Sequence, residues 1–173
     1  MPADPVPAAA RGAFRIRPAE ARDCEGIVAL IRGLAVYEKL EHLVQATPQT
    51  LHPHLFGPKP AAEALVVEAG ARLVGFALFF TNFSTFLARP GLYLEDLFVE
   101  PASRGQGIGQ ALLTRLAQTA VARGCGRFEW SVLDWNDDAI RFYERMGAVV
   151  MPEWRICRIA GETLAGFGAE PGG

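Results

Sequence analysis

Apolar and polar positions change period several times along this chain, and each change predicts an element. Phe14 and Ile16 alternate with Arg15 and Arg17, so Ala13 to Arg17 is expected to be a short strand halted at Pro18. Ile27, Leu30, Ile31 and Leu34 then recur at helical spacing, which predicts a helix from about Arg22 to Glu38. A weaker helix is expected over Thr47 to Leu55, where a capping threonine is followed by Pro48. Ala64 to Ala69 and Ala71 to Thr81 are apolar, β-rich runs that read as a hairpin turning at Gly70. Leu92 to Glu100 is a further strand, ended by Pro101. Gly107 to Arg123 is expected to be a helix whose Leu112, Leu113, Leu116 and Ala120 make the buried face, with Gly124 at its end. Arg127 to Leu133 reads as a strand, and Asn136 to Met146 as a short helix capped by Asn136. Val149 to Met151 and Trp154 to Ile159 are expected to close the chain as a hairpin around Pro152. This order predicts one α/β domain, a mixed sheet with helices on both faces.

Composition narrows the function classes. The 173 residues suffice for one core, and the ends, 1–12 and 167–173, read as tails around a domain of residues 13–166. A net charge of -2 and a pI near 5.9 argue against a nucleic-acid partner, which selects for a basic stripe. No apolar run approaches the length that crosses a bilayer, so no membrane partner is expected. Met1 to Ala10 is rich in proline and alanine, unlike a secretory signal. Cys24, Cys125 and Cys157 form no CxxC pair, which fits a reducing, cytoplasmic setting. His52 and His54 flank Pro53 without a third ligand at metal spacing, so no metal is expected.

The chemistry concentrates in one stretch. Leu94-Glu95-Asp96-Leu97-Phe98-Val99 leads into Arg104-Gly105-Gln106-Gly107-Ile108-Gly109, which opens a helix. Glycines at alternate positions let bare backbone amides approach a bound group. The helix N-terminus favours negative charge there, and Arg104 adds a positive one. The arrangement suits a pyrophosphate. No Gly-Lys-Ser/Thr follows, so it is not a nucleoside-triphosphate loop, and the GxGxG spacing is not that of a dinucleotide fold. A strand-to-helix turn that binds nothing also uses such glycines.

Arg104 to Gly109 resembles the coenzyme A loop of the GNAT acetyltransferase superfamily. Asn136, Ala139, Phe142, Tyr143 and Gly147 are similar to its second signature, Asn-x-x-Ala-x-x-Phe-Tyr-x-x-x-Gly. Leu34 to Glu38, Leu92 to Val99, Asp134 to Asn136 and Glu153 to Arg155 further resemble the diamine (spermidine/spermine) and thialysine acetyltransferases. The likeness is looser between Gln45 and Phe86. It implies a single-domain, mixed and mostly antiparallel sheet, acetyl-CoA as co-substrate, a small-molecule amine as acceptor, and a homodimer.

The resemblance also implies residue roles. Backbone amides of Leu97, Phe98 and Val99 are expected to hold the pantetheine arm. Arg104, Gly105, Gln106, Gly107, Ile108, Gly109 and Gln110 are expected to hold the diphosphate, with Asn136, Ala139 and Phe142 as further coenzyme contacts. Glu95 is the candidate base that takes the ammonium proton, and Tyr143 the candidate acid that protonates the departing thiolate. Asp96 is expected on the opposite face of the strand from Glu95. Tyr37, Glu38, Glu95 and Glu153 are expected to meet the amine, with Glu41 near the same helix end. A protein or peptide N-acetyltransferase is the alternative within the superfamily. A non-catalytic acyl-CoA-binding module is the alternative outside catalysis, and the presence of both Glu95 and Tyr143 speaks against it.

Overall fold

A computed structural model of the chain describes residues 14–168. Its elements are β1 (Arg15–Pro18), α1 (Cys24–Glu38), α2 (Pro48–Phe56), β2 (Glu63–Ala69) and β3 (Arg72–Ser84), followed by β4 (Arg89–Val99), α3 (Ile108–Ala122), β5 (Arg127–Trp130), α4 (Asp137–Arg145) and α5 (Gly161–Gly166). The expected tail at residues 1–12 lies outside the described residues, as does Ala13. Of the expected C-terminal tail, Phe167 and Gly168 are described and form a turn after α5. Packing divides the chain into two compact units at Ser131 and Val132.

The first unit is built on a five-stranded sheet in the order β1-β2-β3-β4-β5. Its first three pairings are antiparallel and the last, β4 with β5, is parallel, as the expected mixed sheet requires. Gly70, at φ +63°, turns the β2–β3 hairpin where a side chain would be strained. The parallel pair needs a crossover, and α3 supplies it.

Helices cover both faces. Ile27 and Leu30 of α1 bury against Val66, Phe76 and Phe98. A Cβ at Gly33 would fall 2.9 Å from the Phe98 ring, so glycine lets α1 approach this closely. On the other face Leu112, Leu113 and Leu116 of α3 are buried, each contributing about 1.5–3 kcal/mol. Arg123, just past α3, stacks over Phe79, whose position in β3 faces away from Phe76.

A buried ion network locks the sheet edge to the start of α1. Both terminal nitrogens of Arg17 donate to Asp23, at 2.6 and 2.9 Å, and its Nε donates to Glu68 at 2.9 Å. The guanidinium holds the Asp23 carboxyl below the ordinary aspartate range, and Asp23 in turn accepts the Glu20 amide.

In the second unit, the Asn136 side chain accepts from the Ala139 amide at 3.3 Å and caps α4. The expected hairpin over Val149–Met151 and Trp154–Ile159 is not formed. Those residues carry no strand and are exposed, and the short helix α5 follows instead. β5 likewise stops at Trp130 rather than Leu133. β-branched and aromatic residues give strand propensity, but a strand also needs a neighbour for its amides.

Replacing Arg17 with alanine leaves Asp23 buried without its partner; the two side chains are 8% and 7% exposed. A loss of about 3–5 kcal/mol is expected in urea unfolding at neutral pH. A loss under about 1 kcal/mol, the level of a surface pair, would show that the network does not lock the edge.

Candidate active site

The site is organised by an irregularity in β4. Leu94 pairs with Phe79 and Asp96 with Leu78, so Glu95 is an extra residue with no partner across the ladder. Such a bulge interrupts the two-residue alternation and re-aims the side chains beyond it. Before it, Leu94 shares a face with Phe79, the side covered by α3. After it, Asp96 and Phe98 lie across from Leu78 and Phe76, the side covered by α1. The expectation that Asp96 points away from Glu95 is therefore corrected, since the extra residue removes the strict alternation on which it rested. The strand does carry a trace of this, because an aspartate stands at 96, where Leu92 and Leu94 would continue to an apolar residue.

The parallel ladder with β5 ends at Leu94, immediately before the bulge. From Glu95 to Val99 the outer edge of β4 has no strand neighbour among the described residues. Leu97 is half-buried, Phe98 and Val99 are buried, and their main chain follows this open edge.

A 3-10 turn, Pro101–Ser103, then leads into the glycine loop. Gly105 and Gly107 have φ of +76° and +81°, a conformation that side chains resist. Ile108 is buried and anchors the start of α3, while Gly109 is half-buried and Gln110 exposed. Gly107, with no side chain to accept a bond, caps the helix, so the first amides of α3 keep their donors for an outside group. Gln106 and Gln110 also line an open groove of about 480 Å³ against Ile16 of β1 and Phe14 just before it. Arg104 donates from Nε to the Val99 carbonyl at 3.0 Å, and its guanidinium carbon lies 4.9 Å from the centre of the Tyr37 ring. These donors fit a diphosphate.

Three carboxyls meet beside the bulge. Asp96 is half-buried, and its pKa is pushed up to about 6, first by burial and then by the charges of Glu95 and Glu38. Burial also raises Glu38, the last residue of α1. Lys39, in the left-handed conformation at φ 63°, ends that helix by donating its amide to the Ala35 and Val36 carbonyls. Tyr37 and Glu38 thus sit in a fixed last turn. Glu41 lies beyond it, in a separate 3-10 turn.

The first unit therefore brings together Tyr37, Glu38, Glu95 and the loop from Arg104 to Gln110, and it adds Asp96. The remaining candidates belong to the second unit. There α4 presents Ala139, Phe142 and Tyr143 on its less exposed face, with Asp137, Asp138, Arg141 and Glu144 on the other. The Phe142 and Tyr143 rings are 5.3 Å apart, and the Tyr143 carbonyl accepts from the Ala148 amide. Glu153 is exposed in a turn. No helix among the described residues is long and apolar enough to cross a membrane.

Residues 20–148 match the sequence profile of the acetyltransferase (GNAT) family, and the match runs across the boundary between the two units. A thialysine N-epsilon-acetyltransferase from Mus musculus is 38% identical over 161 residues, covering 87% of this chain and 94% of its own. The L-ornithine N5-acetyltransferase NATA1 of Arabidopsis thaliana is 36% identical over 195 residues, covering 87% of this chain and 86% of its own. Among solved structures, an integron cassette protein from the mobile metagenome of V. cholerae matches with a TM-score of 0.75 at 26% identity, covering 90% of this chain and 97% of that one.

The shifted carboxyl predicts a pH signature in stability. Unfolded aspartate ionises near 3.9, whereas Asp96 holds its proton up to about 6. The stability this gives is full below about pH 4 and lost as pH rises through about 6. Asp96→Asn is expected to stabilise the fold by about 1–2 kcal/mol at pH 8 and by little at pH 4, measured by urea titration at both. Equal gains at the two pH values would place the effect in packing rather than charge.

Proposed function

This chain belongs to the acetyltransferase (GNAT) family and is an acetyl-CoA-dependent N-acetyltransferase; from that premise we propose that its acceptor is a primary amine of a small, multiply charged molecule, a diamine, polyamine or thialysine-like amino acid. The observation that carries this reading is the cluster of Glu38, Glu95 and Asp96, where the half-buried Asp96 feels the negative charges of the other two. Such a cluster favours a compact cation by direct pairing and by its focused field. The names of two relatives, an ornithine and a thialysine acetyltransferase, support it, since each of those amino acids carries a side-chain amine.

An alkylammonium has a pKa near 10.4, so roughly one molecule in a few thousand is a free amine at neutral pH. Glu95, exposed at the bulge, takes that proton directly or through a water, and the freed nitrogen attacks the thioester carbonyl. The open β4 edge at Leu97 to Val99 suits the amide-bearing pantetheine arm, and the glycine loop with the α3 amides suits the diphosphate. A backbone amide beside the carbonyl oxygen stabilises the charge that develops there. Tyr143 gives a proton to the departing thiolate, and the second proton, shed by the acylated nitrogen, restores the phenol, leaving an amide and the free thiol.

A homodimer and a cytoplasmic setting belong to the same proposal. Trp154, Ile156 and Ile159 are 71%, 70% and 58% exposed, and β5 is an edge strand that pairs on one side only among the described residues. A second copy of the chain is the proposed cover. The three described cysteines are free thiols, which fits a reducing compartment.

Tyr143→Phe is expected to lower kcat about a hundredfold while coenzyme affinity, read by calorimetry, stays within about twofold. An unchanged kcat would remove Tyr143 from the acid role. A thiol-release assay against ornithine, thialysine, lysine, spermidine and short peptides tests the acceptor, and turnover of peptides well above the amines would overturn it.

A further inference from the structure

Arg104 supplies charge for the diphosphate, and its side chain makes a second set of contacts besides. Its Nε–H is committed to the Val99 carbonyl at 3.0 Å. Its guanidinium lies over two rings, 4.9 Å from the centre of Tyr37 and 5.6 Å from that of Phe98. One side chain thus joins the glycine loop, the end of β4 and the last turn of α1. The residue beside Tyr37 in that turn is Glu38, whose charge acts on Asp96. The turn is closed by Lys39, bonded back to Ala35 and Val36, so what fixes Tyr37 also fixes Glu38.

We infer that Arg104 is a positioning residue for the acceptor: by clamping the Tyr37 ring it holds Glu38 over the Glu95–Asp96 bulge, so that the coenzyme loop and the amine-binding end of α1 are set as one unit. A planar guanidinium stacks on a ring by its face and keeps its N–H donors in its plane, so the same group serves both a ring and a phosphate. Lysine keeps the charge for a phosphate but cannot reproduce the flat contact or the fixed Nε bond. The inference rests on the proposed amine acceptor and names how that site is held.

A double-mutant cycle tests it with Arg104→Lys, Tyr37→Leu and the pair, using ornithine or whichever amine of the panel is turned over. Each single variant is expected to raise the amine KM about threefold to fivefold at saturating acetyl-CoA. The double variant is expected to be no worse than the worse single one, because both changes break one contact. Tyr37→Phe, which keeps the ring, is expected to recover most of what Tyr37→Leu loses. Coenzyme affinity should fall less in Tyr37→Leu than in Arg104→Lys, since the leucine variant keeps the guanidinium for the diphosphate.

Effects of Arg104→Lys confined to the coenzyme, or single effects that multiply in the double variant, would overturn the coupling. Should the native protein acetylate no amine, the acceptor reading fails while the clamp is still decided by NMR titration of the Asp96 carboxyl. Release of Glu38 in Arg104→Lys then lowers the Asp96 pKa, and an unmoved titration rejects the clamp.

Discussion

One extra residue in β4 is the constraint on which the candidate site depends. A regular strand would pair with β3 on one side and β5 on the other to its end, and would send Glu95 and Asp96 to opposite faces. Inserting Glu95 between the pairs Leu94–Phe79 and Asp96–Leu78 breaks both regularities at one point. The ladder to β5 stops there, leaving main-chain donors and acceptors on an open edge. Asp96 moves to the face that α1 covers, where it meets the charge of Glu38. The edge that suits an amide-bearing arm and the acid cluster that suits a cation thus arise from the same irregularity.

The cluster carries an electrostatic cost that the rest of the unit is built to withstand. Half-buried carboxyls of one sign repel and lose hydration, which is why Asp96 keeps its proton to about 6. Against this stand the buried faces of α1 and α3 and the Arg17–Asp23–Glu68 network, which fasten β1, β2 and the start of α1 far from the bulge in sequence. The first turn of α1 is tied by Asp23 and the last by Lys39 and Tyr37. Glu38 is held at the end of a rigid lever rather than in a loop, as a site that depends on charge placement requires.

Much of this was legible in the residues. Helical spacing located α1 and α3 to within about two residues, and Asn136 and Thr47 announced their caps by type. The glycine loop announced itself because only glycine takes the φ values found at Gly105 and Gly107 without strain. What failed to show was whatever depends on a partner. Trp154 to Ile159 carries strand-favouring tryptophan and isoleucines yet forms no strand, because residue type says nothing of where a neighbour will be. The bulge was hidden for a related reason. Register is a property of two strands, and a two-residue period read along one strand assumes the register it is meant to predict.

A cation entering the cluster changes its balance of charge. A positive group among Glu38, Glu95 and Asp96 stabilises the charged form of each, so its binding and proton loss at Asp96 are linked. An acceptor amine arrives as an ammonium and must leave its proton behind before it can attack. In the proposed reaction Glu95 takes that proton, so one carboxylate of the cluster is neutralised as the ammonium is, and the net charge of cluster and amine together does not change. The repulsion among the three carboxyls is therefore relieved at the moment of attack whether the amine carries one positive group or two. The acid cluster at the bulge thus supports the proposed acceptor through charge pairing before the reaction and through the proton passed to Glu95 during it.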